Sequence, residues 1–86
     1  MAEEEIGIVI HYWTDLEVAG VKLTDGGLKV GDTVHVKGHT SDFTQQVDSI
    51  QREHEAVEEA SPGDDIGIRV VEHAREHDLV MKVTPD

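Results

Sequence analysis

Six histidines and nineteen Asp and Glu residues in 86, with no cysteine, put metal and acid–base chemistry first among the possibilities. The densest group is His73-Ala74-Arg75-Glu76-His77. It spells His-x-x-Glu-His, a spacing that offers two imidazoles and a carboxylate to zinc when one helix carries all three. That chemistry also needs a third protein ligand and a cleft. Here the five residues form a polar connection between two apolar runs, so a solvated loop is expected. His35 and His39 could approach each other across a predicted turn, and His54 could join them, which makes this the second place for a metal. The plainer reading is surface histidines whose protonation an acidic field favours. Ser41 and Ser49 lack the histidine–carboxylate partners or the sharp elbow that activates a serine. Without cysteine there is no thiolate nucleophile, thiolate ligand or disulfide. No catalytic residue, metal or cofactor is predicted, and the chain is not expected to be an enzyme.

Charge narrows the partners. Seven Lys and Arg against nineteen acids give a formal −12. Nucleic-acid affinity draws mainly on basic side chains neutralising phosphates, and here those are sparse and scattered, so RNA or DNA is disfavoured. A basic protein partner fits the field, as does a solvated acidic coat. No apolar run approaches the roughly 20 residues a membrane span needs, and Met1-Ala2-Glu3-Glu4-Glu5 is acidic where a secretory leader is basic. Cytoplasm and no membrane are the expectation.

Positioning any site falls to short strands. Ile6 to Tyr12 alternates with β-branched residues, as a half-buried strand does. Trp13 to Glu17 reads as a loop, Val18 to Leu23 as a strand, and Thr24-Asp25-Gly26-Gly27 as a tight hairpin with positive φ. Leu28 to Val30 leads into a Gly31-Asp32 turn. Thr33 to Lys37 alternates, Gly38 to Asp42 is a loop, and Phe43 to Gln51 is a strand with a bulge or face change between Val47 and Ile50. Arg52 to Ala60 suits a strand with Val57 inward, although a helical turn also fits its composition. Ser61 to Asp65 is a turn, Ile66 to Val71 a strand, and Leu79 to Val83 the last strand. Six or seven strands at this spacing make an all-β domain. At this size a closed antiparallel β-barrel is favoured, because closure leaves no sheet edge. Residues 1–5 are expected as an acidic tail, 6–83 as one barrel domain, and 84–86 as a C-terminal tail.

Three motifs then line up in order. Gly27-Leu28-Lys29-Val30-Gly31-Asp32, Val47-Asp48-Ser49-Ile50-Gln51 and Ala60-Ser61-Pro62-Gly63-Asp64-Asp65-Ile66-Gly67 resemble the second, β-barrel domain of the translational GTPases such as elongation factor Tu. The likeness covers Ile6 to Val83. Lys37 to Gln45 is similar, more narrowly, to a group of free-standing barrel proteins of elongation-factor type. No Gly-x-x-x-x-Gly-Lys-Ser/Thr loop is present, so no GTP is expected. In that family the barrel helps hold the aminoacylated end of tRNA. The resemblance places a family glutamate that contacts the terminal adenosine at Gln51, and a family arginine at His54. Both residues differ here, so the inherited tRNA contact is not expected to persist.

The resulting expectation is a non-catalytic binding or adaptor module that meets a protein partner in or near translation. Its candidate surface comprises Trp13, His39, Asp42, Val47, Gln51 and His54. A tryptophan in this loop is more often a plug at the barrel end than a ligand platform, although an exposed aromatic beside Asp15 and Glu17 also suits a peptide anchor. Two other readings stand beside it. One is an RNA binder keeping the tRNA-end site around Val47, Gln51 and His54. The other is an accessory domain serving a separately encoded enzyme, as similar barrels are appended to larger enzymes, including peptidase-like ones.

Overall fold

The structure is a computed structural model that describes residues 2–84. The chain forms ten strands: β1 (Ala2–Trp13), β2 (Val18–Leu23), β3 (Leu28–Lys29), β4 (Thr33–Lys37), β5 (Asp42–Gln46), β6 (Ile50–Arg52), β7 (Glu55–Val57), β8 (Glu59–Ala60), β9 (Asp65–Arg69) and β10 (Leu79–Thr84). Eight of them make one antiparallel sheet in the order β5-β4-β10-β1-β2-β9-β6-β7, and β3 pairs with β8 in a second, two-stranded sheet. Alternation in the sequence becomes two faces. Ala19, Val21 and Leu23 of β2, Val34 and Val36 of β4, and Ile66 and Ile68 of β9 point inward with Ile6, Val9, Ile50 and Val80 to form one core.

The long strand β1 is the hub. Its first half pairs with β10, from Ala2↔Thr84 to Ile8↔Leu79, and its second half with β2, from Gly7↔Leu23 to Trp13↔Val18. A register shift between Glu5 and Gly7, and another between Val9 and His11, bend it around the core.

Several expectations are corrected. Residues 2–5, read as a tail, are the first rungs of β1. Of the C-terminal tail, Thr84 ends β10, and residues 85–86 lie outside the described residues, as does Met1. β1 runs on through Trp13, so that residue stands on a strand end and not in a loop. The run from Phe43 to Gln51 is two strands. β5 pairs with β4, whereas β6 pairs with β7 and β9, and the change of partner falls at Val47 to Ser49, where Val47 plugs the core. Arg52 to Ala60 is extended and not helical, but it is not one strand continuing the sheet: β6 ends at Arg52, β7 folds back on it, and β8 joins the two-stranded sheet. The chain turns sharply at Glu53-His54, both at positive φ (52° and 67°), the two-residue geometry usually given to Asn-Gly. Gly31 and Gly63 take the positive φ expected of their turns, at 98° and 95°, whereas Gly26 and Gly27 do not.

The sheet is not closed into a barrel: β5 and β7 remain its two edges. After Arg69 the chain leaves the ladder, so no strand is available there to pair with β5. A side chain takes that place. The sheet curls far enough for the Gln45 amide to donate to Arg69 O (2.8 Å) and to accept from Val71 N–H (2.7 Å). One glutamine thus supplies both halves of a missing rung and blunts the β5 edge.

Candidate functional site

The β1–β2 hairpin builds one exposed end of the molecule. Trp13 is the last residue of β1, and Leu16 N–H returns to Trp13 O at 3.2 Å to close the tip. The indole lies over Gly20 of β2, where an added Cβ would sit 3.0 Å from the Trp13 ring, so Gly20 is the floor that lets it lie flat. His11 meets the ring edge-on, with centroids 4.4 Å apart. Beside this hairpin runs the chain leaving β9. Val18 pairs with Arg69, and Val70 N–H donates to Glu17 O at 2.9 Å. On the inner side of the same strand end, Tyr12 stacks on His73 with centroids 4.3 Å apart.

Register carries this face further across the sheet. His11 is opposite Gly20, Gly20 opposite Gly67, Gly67 opposite Gln51, and Gln51 opposite Ala56. Strands lie about 4.8 Å apart, so Gln51 stands about 14 Å from His11 along a row with two glycines between them. Trp13 and Gln51 therefore share one outer face. His54 lies beyond Gln51, in the turn of the β6–β7 hairpin. His39 lies in the β4–β5 connection and Asp42 opens β5, at the far edge of the sheet in strand order. Val47, expected on the surface, is only 1% exposed and belongs to the core. The six candidates are thus not one patch.

A feature the sequence reading missed is a carboxylate–imidazole–carboxylate clasp. His35 Nδ1 lies 2.9 Å from Glu3 Oε1 and Nε2 lies 2.5 Å from Asp42 Oδ1, so the protonated imidazole donates an N–H to each carboxylate. The hydrogen bond to Asp42, then that to Glu3, raises the His35 pKa above its ordinary 6.5, and the same His35 bond lowers that of Asp42. The clasp ties β1, β4 and β5 together across β10. His35, read from the sequence as a surface histidine with His39 as an alternative neighbour, is engaged by these two carboxylates. Glu3 could not have been chosen from sequence spacing, since it is 32 residues away.

His73-Ala74-Arg75-Glu76-His77 lies on the irregular chain between β9 and β10, and not on a helix. His73 stacks on Tyr12, and His77 sits at a turn with φ 77°. Among the described residues no group of three or more His, Asp or Glu is arranged to hold a metal. No helix among them is long and apolar enough to cross a membrane.

Comparison with known proteins gives this geometry a context. Residues 17–80 match the family described as elongation factor Tu domain 2. The chain is 35% identical over 77 residues, 88% of its length, to an uncharacterized protease of Methanocaldococcus jannaschii, of which it spans 19%. It is likewise 35% identical over 78 residues to a collagenase of Porphyromonas gingivalis, covering 90% of this chain and 22% of that protein. The chain therefore spans about a fifth of the length of the curated relatives it matches. Among solved structures, the C-terminal domain of a putative U32 peptidase from Geobacillus thermoleovorans superposes with a TM-score of 0.86 at 23% identity, covering 94% of this chain and 93% of that one. Its selenomethionine variant gives 0.84 at 22% identity, covering 90% and 96%. These two establish a shared fold. The peptidase names of the relatives overturn the expectation of an adaptor in translation.

Proposed function

The chain belongs to the elongation factor Tu domain 2 family, and from that premise we propose that it is an accessory domain of a peptidase system, supplying binding and not bond cleavage. The carrying observation is that nearly the whole chain aligns at 35% identity with about a fifth of a protease. A module of that size leaves four-fifths of the relative to hold the reacting groups. The side chains here agree with that division of labour. Ser41 is buried and gives its hydroxyl to His73 O, and both ring nitrogens of His35 are engaged by Glu3 and Asp42.

A domain exchange tests the proposal. The stretch of the Methanocaldococcus protease that aligns with this chain is deleted, or replaced by this chain, and casein hydrolysis is measured. The deletion is expected to lose most of its activity and the chimera to recover it. A folded chimera, verified by circular dichroism, that cleaves no better than the deletion would refute the proposal.

A further inference from the structure

We propose that the end of the domain built from the β1–β2 hairpin and the chain leaving β9 is a docking surface for a basic segment with apolar side chains at its centre. Resting on the reading above, that segment belongs to the peptidase body. Three large apolar side chains stand out at this end: Trp13 (44% exposed), Leu16 (64%) and Val71 (67%). Val18 pairs with Arg69 and Val70 N–H bonds Glu17 O, so Leu16 and Val71 are the next residues outward on the two segments, on the same side of that bond. Tyr12, Trp13, Thr14, Asp15 and Leu16 line a shallow hollow at the tip.

This surface is held before any partner arrives. Gly20 and His11 fix the Trp13 ring, and the Gln45 amide fixes Val71 N–H. Apolar groups kept in place in water lose little further entropy on binding, and a tryptophan in such a setting is a favourable anchor. The charge around the patch selects the partner. Asp15, Glu17 and Glu72 are all exposed, and Arg69 is the single Lys or Arg in residues 11–18 and 69–73. A lysine or arginine flanking an apolar side chain meets these carboxylates at the rim, where complementary charge steers association. A second copy of the chain would bring acid against acid, with −12 on each.

The chain has one tryptophan, so its emission reports this surface directly. The probe is an alternating lysine–leucine peptide lacking Trp and Tyr, with a glutamate–leucine peptide as its counterpart. The basic peptide is expected to shift Trp13 emission to shorter wavelength, with binding that weakens as salt rises. Leu16→Ser with Val71→Ser should weaken binding about tenfold or more. Asp15→Asn with Glu72→Gln should weaken it about threefold or more and flatten the salt dependence. Glu58→Gln with Glu59→Gln, the same charge change on β8 and its approach, should leave affinity within about twofold. The assignment is overturned by no emission shift, by equal binding of the glutamate peptide, by an unaffected Leu16/Val71 variant, or by equal losses from the two charge variants. A dimer in light scattering that Leu16→Ser/Val71→Ser abolishes would also overturn it, because the occupant would then be a second copy. The peptide assay judges the surface even if the chimera fails. If the chimera works, and keeps its activity with Leu16→Ser/Val71→Ser, the accessory role stands and the docking surface falls.

Discussion

Replacing Gln45 tests how the sheet holds itself where it fails to close. Gln45→Ala removes two hydrogen bonds of good length, 2.8 Å to Arg69 O and 2.7 Å from Val71 N–H. Each is worth about 0.5–1.5 kcal/mol net. Val71 is well exposed, so water reaches the freed groups and no full desolvation cost is added. The loss is therefore about 1–3 kcal/mol, or a fall in Tm of about 4–24 °C for a domain of this size. Urea unfolding followed by Trp13 emission and by far-ultraviolet circular dichroism should show a lower midpoint at unchanged slope. Gln45→Glu sharpens the test. The carboxylate still accepts from Val71 N–H but turns a second acceptor towards Arg69 O, so near neutrality it should be at least as destabilising as alanine. Protonated below about pH 4, it regains a donor, and its deficit relative to the parent should shrink. The account fails if Gln45→Ala unfolds within about 0.3 kcal/mol of the parent, or if the Gln45→Glu deficit does not shrink in acid.

Three further outcomes are expected. Glu53→Asn with His54→Gly relieves two non-glycine residues at positive φ and should stabilise by about 1 kcal/mol after the entropy glycine adds to the unfolded chain, read as a higher urea midpoint. Because the folded His35 pKa lies above 6.5, its contribution is complete below that value and is lost as pH rises through the raised one; that of Asp42, whose pKa is lowered, is present above 3.8 and lost as pH falls. The stability gap between parent and His35→Gln should therefore narrow as pH rises above 6.5 and through the raised pKa, and a flat gap would remove the clasp from the account. Val47→Ala should cost about 2 kcal/mol in thermal unfolding while leaving peptide binding at the hairpin end unchanged, as a core residue should.

What could be read from the chain alone follows the range of the forces involved. Alternation along β2, β4 and β9 and the glycines at 31 and 63 are local signals, and they located strands and turns correctly. Glu53-His54 carried no such signal, because neighbouring strands impose its backbone geometry on residues that do not favour it. Glu3 to Glu5 read as a solvated tail, since their strand conformation comes from pairing with β10 at the other end of the chain. Closure was expected because exposed edges are costly, and a single amide reaching from β5 to the end of β9 met that need in a way no periodicity shows. Trp13 reads from the sequence first as a plug at the barrel end, with a peptide anchor beside Asp15 and Glu17 as the second reading. Leu16 and Val71 were not joined to it, because their proximity depends on a contact between residues 17 and 70.

The pairing of Ala2 with Thr84 has a mechanical consequence. The first and last described residues are partners on adjacent antiparallel strands, so connections attached to them leave from the same corner. A pull on the two ends loads the β1–β10 ladder one rung at a time, peeling it open where shear would have loaded every rung together. Glu3 is among the first residues to part, and its hold on His35 is released before the core feels the force.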